Sequence, residues 1–519
     1  MDDVWLTRAR QQLEDSHSFL VVVTGTPRGR LATASRRHEF VLENLTAPDP
    51  HLVFDAKLEA AALRRPLTEV RRRLEGTDLH ALLTERPRPG FAVRAADTVV
   101  NAVNNGDDLA TVLRELRDPG EQVAEWFGDT VDFAEISFAV ATAVLEGCGY
   151  LTVSDAAAEL HRTLAGKSAE PVTHMRRTMR TDHTWIELAI GDEPLDGEVV
   201  RFRNPDLRLA VLEHVWHELD GMRTAIQEWL RGMAGHSDVE VRARAATAAG
   251  FLAAGDLSHA LHAFLLRWAE SESPEEQQSA AIALGVVGRR REHTGRVWHL
   301  LREFAAHARH RPESPLSHTA ARAAGGLMGL DDPASALHLV RELLGTDDWS
   351  LLLPCAFSVA RLVEDGAARQ TVPELRAWSD AAGRGDLAVK VLTAFVIAAR
   401  PAPLGVAHPG AHRPQWPVMI RDEGDHPDDI PELWSRALSH PRVRHLALNA
   451  LRDWLRLADR DRRAYPAVLD VLAGIADIGD HEANDLLHQL EIWATDPRDP
   501  SDAAADAHDD LIDAEEATR

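Results

Sequence analysis

One short run of small residues returns along this chain and restricts what it can become. It reads "AATAAG" from Ala245, "AAIALG" from Ala280, "AARAAG" from Ala320 and "CAFSVA" from Cys355, at offsets of 35, 40 and 35 residues. "TAFVIA" from Thr393 continues the series, and "LALNAL" from Leu446 resumes it after an insertion. Between these runs lie stretches of a second kind, "LSHALHAFLLRWAE", "RVWHLLREFAAHA", "ASALHLVRELLG" and "TVPELRAWSDA", which carry the large side chains. Small residues let the first helix of each pair approach its neighbour. Leu, Trp and Phe on the second helix close the layer. No pair can bury its apolar stripe alone, so the pairs must stack. The composition agrees. The chain is 45% hydrophobic but only 5% aromatic, so its apolar mass is Ala, Leu and Val, which suits close-packed helices. The expectation is a mainly α protein with an α-solenoid over residues 206–495.

"SDVEVRARAA" from Ser237 and its counterparts resemble HEAT repeats. Residues 400–431, "RPAPLGVAHPGAHRPQWPVMIRDEGDHPDDIP", are too rich in Pro and Gly for helix and are read as a loop insertion in the array. Residues 496–519 hold nine acids against two arginines and few large apolar residues, and are read as an acidic disordered tail.

The front of the chain is organised differently. "VWLTRARQQLEDS" reads as a short helix and "FLVVV", Phe19 to Val23, as a buried strand. The prolines of "APDPHLVF" punctuate the chain. Broken helices follow to about Phe127, among them "PLTEVRRRLEG", "AADTVVNAVNNG" and "DPGEQVAEWFGD". Residues 133–205 contain three helical stretches, the second with Ser154 as N-cap, then two apolar strands, "TWIELAI" and "EVVRFR", joined by "GDEPLDG". Three helices followed by a β-hairpin is the order of a winged helix.

"VVVTGTPRGR" looks at first like a strand opening onto a phosphate loop. A Walker A loop needs G-x-x-x-x-G-K-[ST], and here Gly25 and Gly29 are too close and Arg30 replaces the lysine. "HRTLAGKSAE" ends like that motif, but His161 stands where its first glycine belongs, so Gly166 reads as a helix C-cap. In order of parts, however, the chain resembles the back half of a STAND signal-transduction ATPase. The resemblance rests on the buried strand ending in polar Thr24, the "PDP" turn, the broken helices, the winged-helix layout and "FRNPDLRLAVLEHV" from Phe202. It implies a partial α/β NTPase-like segment at 1–58, a helical lid-like region at 59–132 and a winged helix at 133–205, ahead of a ligand-sensing array. It also makes Thr24 a nucleotide-sensor candidate. No Walker A or convincing Walker B precedes Thr24, so catalysis by this polypeptide alone is not expected, and no cofactor is assigned.

Other chemistry is sparse. His214 and His217 in "EHVWHELD" lie three apart on a helix, as do His259 with His262 and His307 with His310, but no third ligand is evident and no metal is expected. Arg176, Arg177 and Arg180 in "HMRRTMRTDH" fall on the third helix of the expected winged helix, where a DNA reader places its contacts. The formal net charge of −25 favours instead arginines paired with acidic neighbours. Cys148 and Cys355 read as buried thiols in a reducing cytoplasm. "MDDVWLTRARQQ" is unlike a signal peptide, and no apolar run is long enough to span a bilayer. The leading expectation is a non-catalytic regulatory or scaffold protein that binds a protein partner through the array. The alternatives are the C-terminal part of an active STAND ATPase, split between chains or mis-started, and a winged-helix DNA-binding regulator.

Overall fold

A computed structural model describes residues 48–518, apart from 62–64, 86, 110–112, 114–118, 129–131, 167–184, 192–196, 384 and 401–428. The described residues are mainly helical, with one two-stranded sheet. They form two compact units, one within Leu42–Ala248 and one within Ala249–Arg519.

The first unit opens with α1 (Pro50–Ala60), which Pro50 and the Asp49 side chain start, the latter accepting from His51 N at 2.8 Å. After α2 (Leu67–Leu74) and α3 (Leu79–Glu85) comes α4 (Pro89–Asn105), closed by Gly106 at φ 86°. Phe54 and Leu58 of α1 share one buried cluster with Val70, Leu83, Phe91 and Val99. The expected boundary at residue 58 therefore falls inside a helix that belongs to the region following it.

Next come α5 (Pro119–Gly128), α6 (Phe133–Leu145) and α7 (Tyr150–Ala165), and then β1 (Ile186–Ile190) and β2 (Glu198–Phe202), paired antiparallel with Ile186 opposite Phe202. Two of the three helices expected in 133–205, and the hairpin, are present in the expected order. The third lies outside the described residues. Ser154 is not the N-cap of α7, because the helix starts a turn earlier. Gly149 bridges to Val199 of β2 and accepts from Val153 N, so tertiary pairing sets the start and leaves Ser154 inside the helix. Gly166 does end α7, at φ 83°.

Two more helices, α8 (Leu207–Glu218) and α9 (Arg223–Ala234), close this unit. Expected as the start of the array, they pack back instead: α8 against α5 and α6, α9 against α7. Trp229 of α9 is buried and its Nε1 donates to Ala156 O at 2.9 Å, while Arg208 of α8 donates to Ala143 O at 2.9 Å. The units divide at Ala248, inside α10 (Val239–Gly255), and not at residue 206.

The second unit is a two-layer stack. One layer contains the small-residue helices α12 (Pro274–Gly288), α14 (Pro315–Ala324), α17 (Leu352–Leu362), α19 (Asp386–Ala399), α21 (Arg444–Arg460) and α24 (Asp502–Thr518), each touching the next in that order. The other contains α13 (Arg291–Ala306), α16 (Pro333–Leu344), α18 (Ala368–Ala382), α20 (Asp429–Ser439) and α22 (Tyr465–Ala476), again in succession. A broken helix α11 (257–269), with a π turn at Leu261–Leu265, precedes α12. The short α15 (Leu327–Asp331) follows α14, and α23 (Asp480–Ala494) lies between α22 and α24. A Cβ on Gly325 would stand 2.6 Å from Ser358 Cα, and one on Gly250 only 2.8 Å from Ala283 O, so these seams admit nothing larger. Buried hydroxyls cross the seams too: Ser358 Oγ donates to Ala321 O at 2.6 Å and Thr319 Oγ1 to Ala269 O at 3.0 Å.

Two expectations about the array change. The stack continues across the insertion, which joins the two helices of a single pair, α19 and α20. Helix α20 begins at Asp429, with Pro431 in its first turn, where a missing N–H costs nothing. The acidic end is not a disordered tail within the described residues, because α24 is the last helix of the small-residue layer. Ala503, Ala504, Ala507 and Leu511 form its buried face. Asp459 accepts from Ala503 N at 2.6 Å and from Ser501 Oγ at 2.7 Å. Its acids meet basic and phenolic groups of the preceding pair: Asp506 with Arg462 at 2.5 Å and Asp510 with the Tyr465 hydroxyl at 2.7 Å.

Candidate functional site

The loop from Thr346 to Ser350 connects α16 to α17, and the residues around it form the most distinctive side-chain cluster of the array. Lys390, on α19, is only 1% exposed. Its ammonium donates to the carbonyls of Thr346 and Asp348, the latter at 3.0 Å. Burial lowers its pKa, and the acids Asp348, Asp347 and Asp386 oppose that shift. The Asp348 carboxylate accepts from Glu313 N at 2.7 Å, Ser350 N at 2.9 Å and Ser350 Oγ at 2.6 Å. Burial alone would raise its pKa. The hydrogen bonds from Ser350 and Glu313, with nearby His318, outweigh burial and hold the carboxyl below its ordinary range. His318 Nε2 lies 2.8 Å from Ser350 Oγ, and burial, then Arg322, lowers its pKa.

This anchored loop carries Trp349, which is 40% exposed. The Lys390 ammonium lies 5.0 Å and the Arg442 guanidinium 5.1 Å from the centre of its ring. Arg442 is held in turn by Asp386 at 2.6 Å. Four and eight residues beyond Trp349, on α17, Leu353 and Phe357 are 51% and 58% exposed. They occupy successive turns of one helix face, opposite buried Cys355, Ala356 and Val359. The result is an apolar ridge with a rigid, cation-flanked tryptophan at one end.

The sequence reading missed this ridge. Its signals were a lysine inside the apolar run "DLAVKVLTAFVIAA", in a chain with three lysines, and the spacing of Trp349, Leu353 and Phe357. The site residues expected from the sequence, Thr24, Arg176, Arg177 and Arg180, all lie outside the described residues. His214 and His217 line a cleft in the first unit. Among the described residues no group of three or more His, Cys, Asp or Glu is placed to hold a metal ion. Cys148 and Cys355 are buried and free, and burial pushes their thiols up to about 11 and about 12, so neither is a thiolate at neutral pH. Among the described residues no helix is long and apolar enough to cross a membrane.

No protein-family model matches the chain, and no curated protein matches it.

Proposed function

We propose that this is a non-catalytic regulatory or scaffold protein that holds a protein partner on its HEAT-like array. The observation that carries the reading is the exposed ridge of Trp349, Leu353 and Phe357 on an otherwise closed layer. Large apolar side chains clustered on one exposed face mark interaction surfaces. Full burial of such a side chain is worth roughly 1.5–3 kcal/mol, and because each is already about half covered, a partner that covers the rest gains about half of that. Trp349 is already held by its loop and its two cations, so little side-chain entropy is lost on binding. We place the protein in the cytoplasm, on its two free, buried cysteines.

A photo-crosslinking residue at Phe357 tests this in cells, with Glu303 on α13 as an exposed control. The expected result is one discrete protein adduct at 357, none at 303, and loss of the adduct in a Leu353→Asp background. Equal labelling at both positions refutes the ridge, and tight binding and turnover of ATP by the purified chain refutes the non-catalytic reading. ATP turnover would instead support the STAND-like alternative. The helix–helix–hairpin order of residues 133–202 supports a winged-helix reading and keeps DNA binding as the second function. That reading predicts salt-sensitive duplex binding which weakens when Arg176, Arg177 and Arg180 become Ala.

A further inference from the structure

The unit within Leu42–Ala248 contains a cleft of about 710 Å³, a size that takes a few side chains of a ligand. One wall is a single face of α8, where Leu209, Glu213, His214, His217 and Glu218 recur at helical spacing. The junction of α3 and α4 adds Glu85, Arg88 and Phe91 to the lining, and the start of α5 adds Pro119 and Gly120.

Among the described residues its charge is one-sided. Four carboxylates line the cleft, and only Asp206 is engaged, by Arg94 at 2.6 Å. Among the described residues Glu85, Glu213 and Glu218 form no ion pair, and Arg88 is the one guanidinium in the lining. His214 adds no positive charge at neutral pH. Burial lowers its pKa more than Glu218 raises it, and its ring lies 4.7 Å from Phe127 at 31°. It serves as part of an aromatic surface. Apart from His217 and Gly120, the remaining lining is apolar: Leu209, Ala210, Phe91 and two prolines.

An anionic ligand, a nucleotide phosphate included, is repelled by this set of charges. A neutral apolar ligand would leave three carboxylates desolvated without partners. A side chain with an apolar stem and a cationic, fork-shaped head satisfies both parts of the lining, because the stem lies on Leu209 and Phe91 while the head pairs with the glutamates. We propose that this cleft is a docking site for an arginine-bearing peptide segment of a protein partner. It lies in a different unit from the ridge, and neither proposal depends on the other.

The test uses the full chain and a fluorescein-labelled peptide alternating Arg and Leu, with its Glu-for-Arg counterpart as control, at fixed ionic strength. Saturable binding of the Arg peptide alone is expected. Glu213→Gln with Glu218→Gln should weaken it by about tenfold, as loss of one to two charge-assisted contacts requires. Glu270→Gln with Glu272→Gln, exposed acids that are not part of the cleft lining, should change it less than about twofold, since charges outside the contact are largely screened. The substituted glutamates are solvent-facing, so the variants should keep the wild-type Tm. Equal weakening by both pairs would mean that the peptide reads only the net charge of −25, and would overturn the proposal. Tighter binding after Arg176, Arg177 and Arg180 become Ala would make the chain's own basic segment the occupant, and would overturn the assignment to a partner.

Discussion

The two units of this protein are both helical, yet they are held together by different means. In the α11–α14–α17 stretch of the array the seams share one solution. A glycine, alanine or serine lets two helices meet, and a buried hydroxyl crosses to the neighbour's carbonyl, as at Gly325, Ser358 and Thr319. Farther along, Trp454 of α21 reaches Ala399 O of α19 through its indole. In the Leu42–Ala248 unit the crossings are made by long side chains used once each. Trp229 reaches Ala156, Arg208 reaches Ala143, and Arg244 reaches Glu146. The first arrangement sums nearest-neighbour interfaces, so damage should stay near the altered seam. The second depends on a few anchors, so losing one should loosen the whole unit.

That contrast can be broken by substitution. Trp229→Ala removes a buried indole and its hydrogen bond, and should cost about 3–5 kcal/mol. Hydrogen exchange should show lost protection across 42–248 and little change in the array; loss confined to α7 and α9 would contradict the anchor picture. Gly325→Val forces a side chain against the backbone of Ser358 and should cost about 1–3 kcal/mol, or more if the backbone does not yield. Exchange should rise in α14 and α17 first. Uniform opening of 249–518 would mean that the array melts as one body.

Asp348→Asn sharpens the comparison at the anchored loop. The folded pKa of Asp348 lies below the unfolded value of 3.8. Its contribution is therefore complete above that value and disappears as pH falls through the folded pKa. The variant should lose about 1–3 kcal/mol at pH 7 and show a flatter stability profile below about pH 4. A profile parallel to wild type in acid would remove Asp348 as the holding group. Asp459→Ala should cost about 1 kcal/mol by freeing Ala503 N and Ser501, and should appear as faster exchange in α24 alone. Glu313 sits at φ 57°, in the left-handed region. Glu313→Gly should raise stability by about 1 kcal/mol if its Asp348 contact persists, read as a small rise in Tm.

Much of the array was legible because its signal is local and repeated. Six small-residue runs mark six helices, five of which, from α12 to α21, lie in one layer of the described stack, and the large-residue stretches supply the other layer. The end of the chain was misread for a related reason. Alanine does not register as core former in a segment of nine acids, yet Ala503, Ala504 and Ala507 share a helix face with Leu511. The arginines and the tyrosine that balance its acids lie some forty residues away in the chain.

Periodicity and residue size by themselves determined the helical class, the pairing of small with large helices and the glycine stop at Gly166. These follow from spacing along one helix or from the volume of one side chain. The tertiary structure alone decided where the array starts, because the sequences of α8 and α9 suit a packed helix in either setting and only their partners distinguish the two. It alone decided the start of α7, through a bridge to a strand fifty residues on. It also brought Trp349, Lys390 and Arg442 to one point and Glu85 and Glu213 into one cleft, since such encounters depend on how helices cross and not on what any one helix contains.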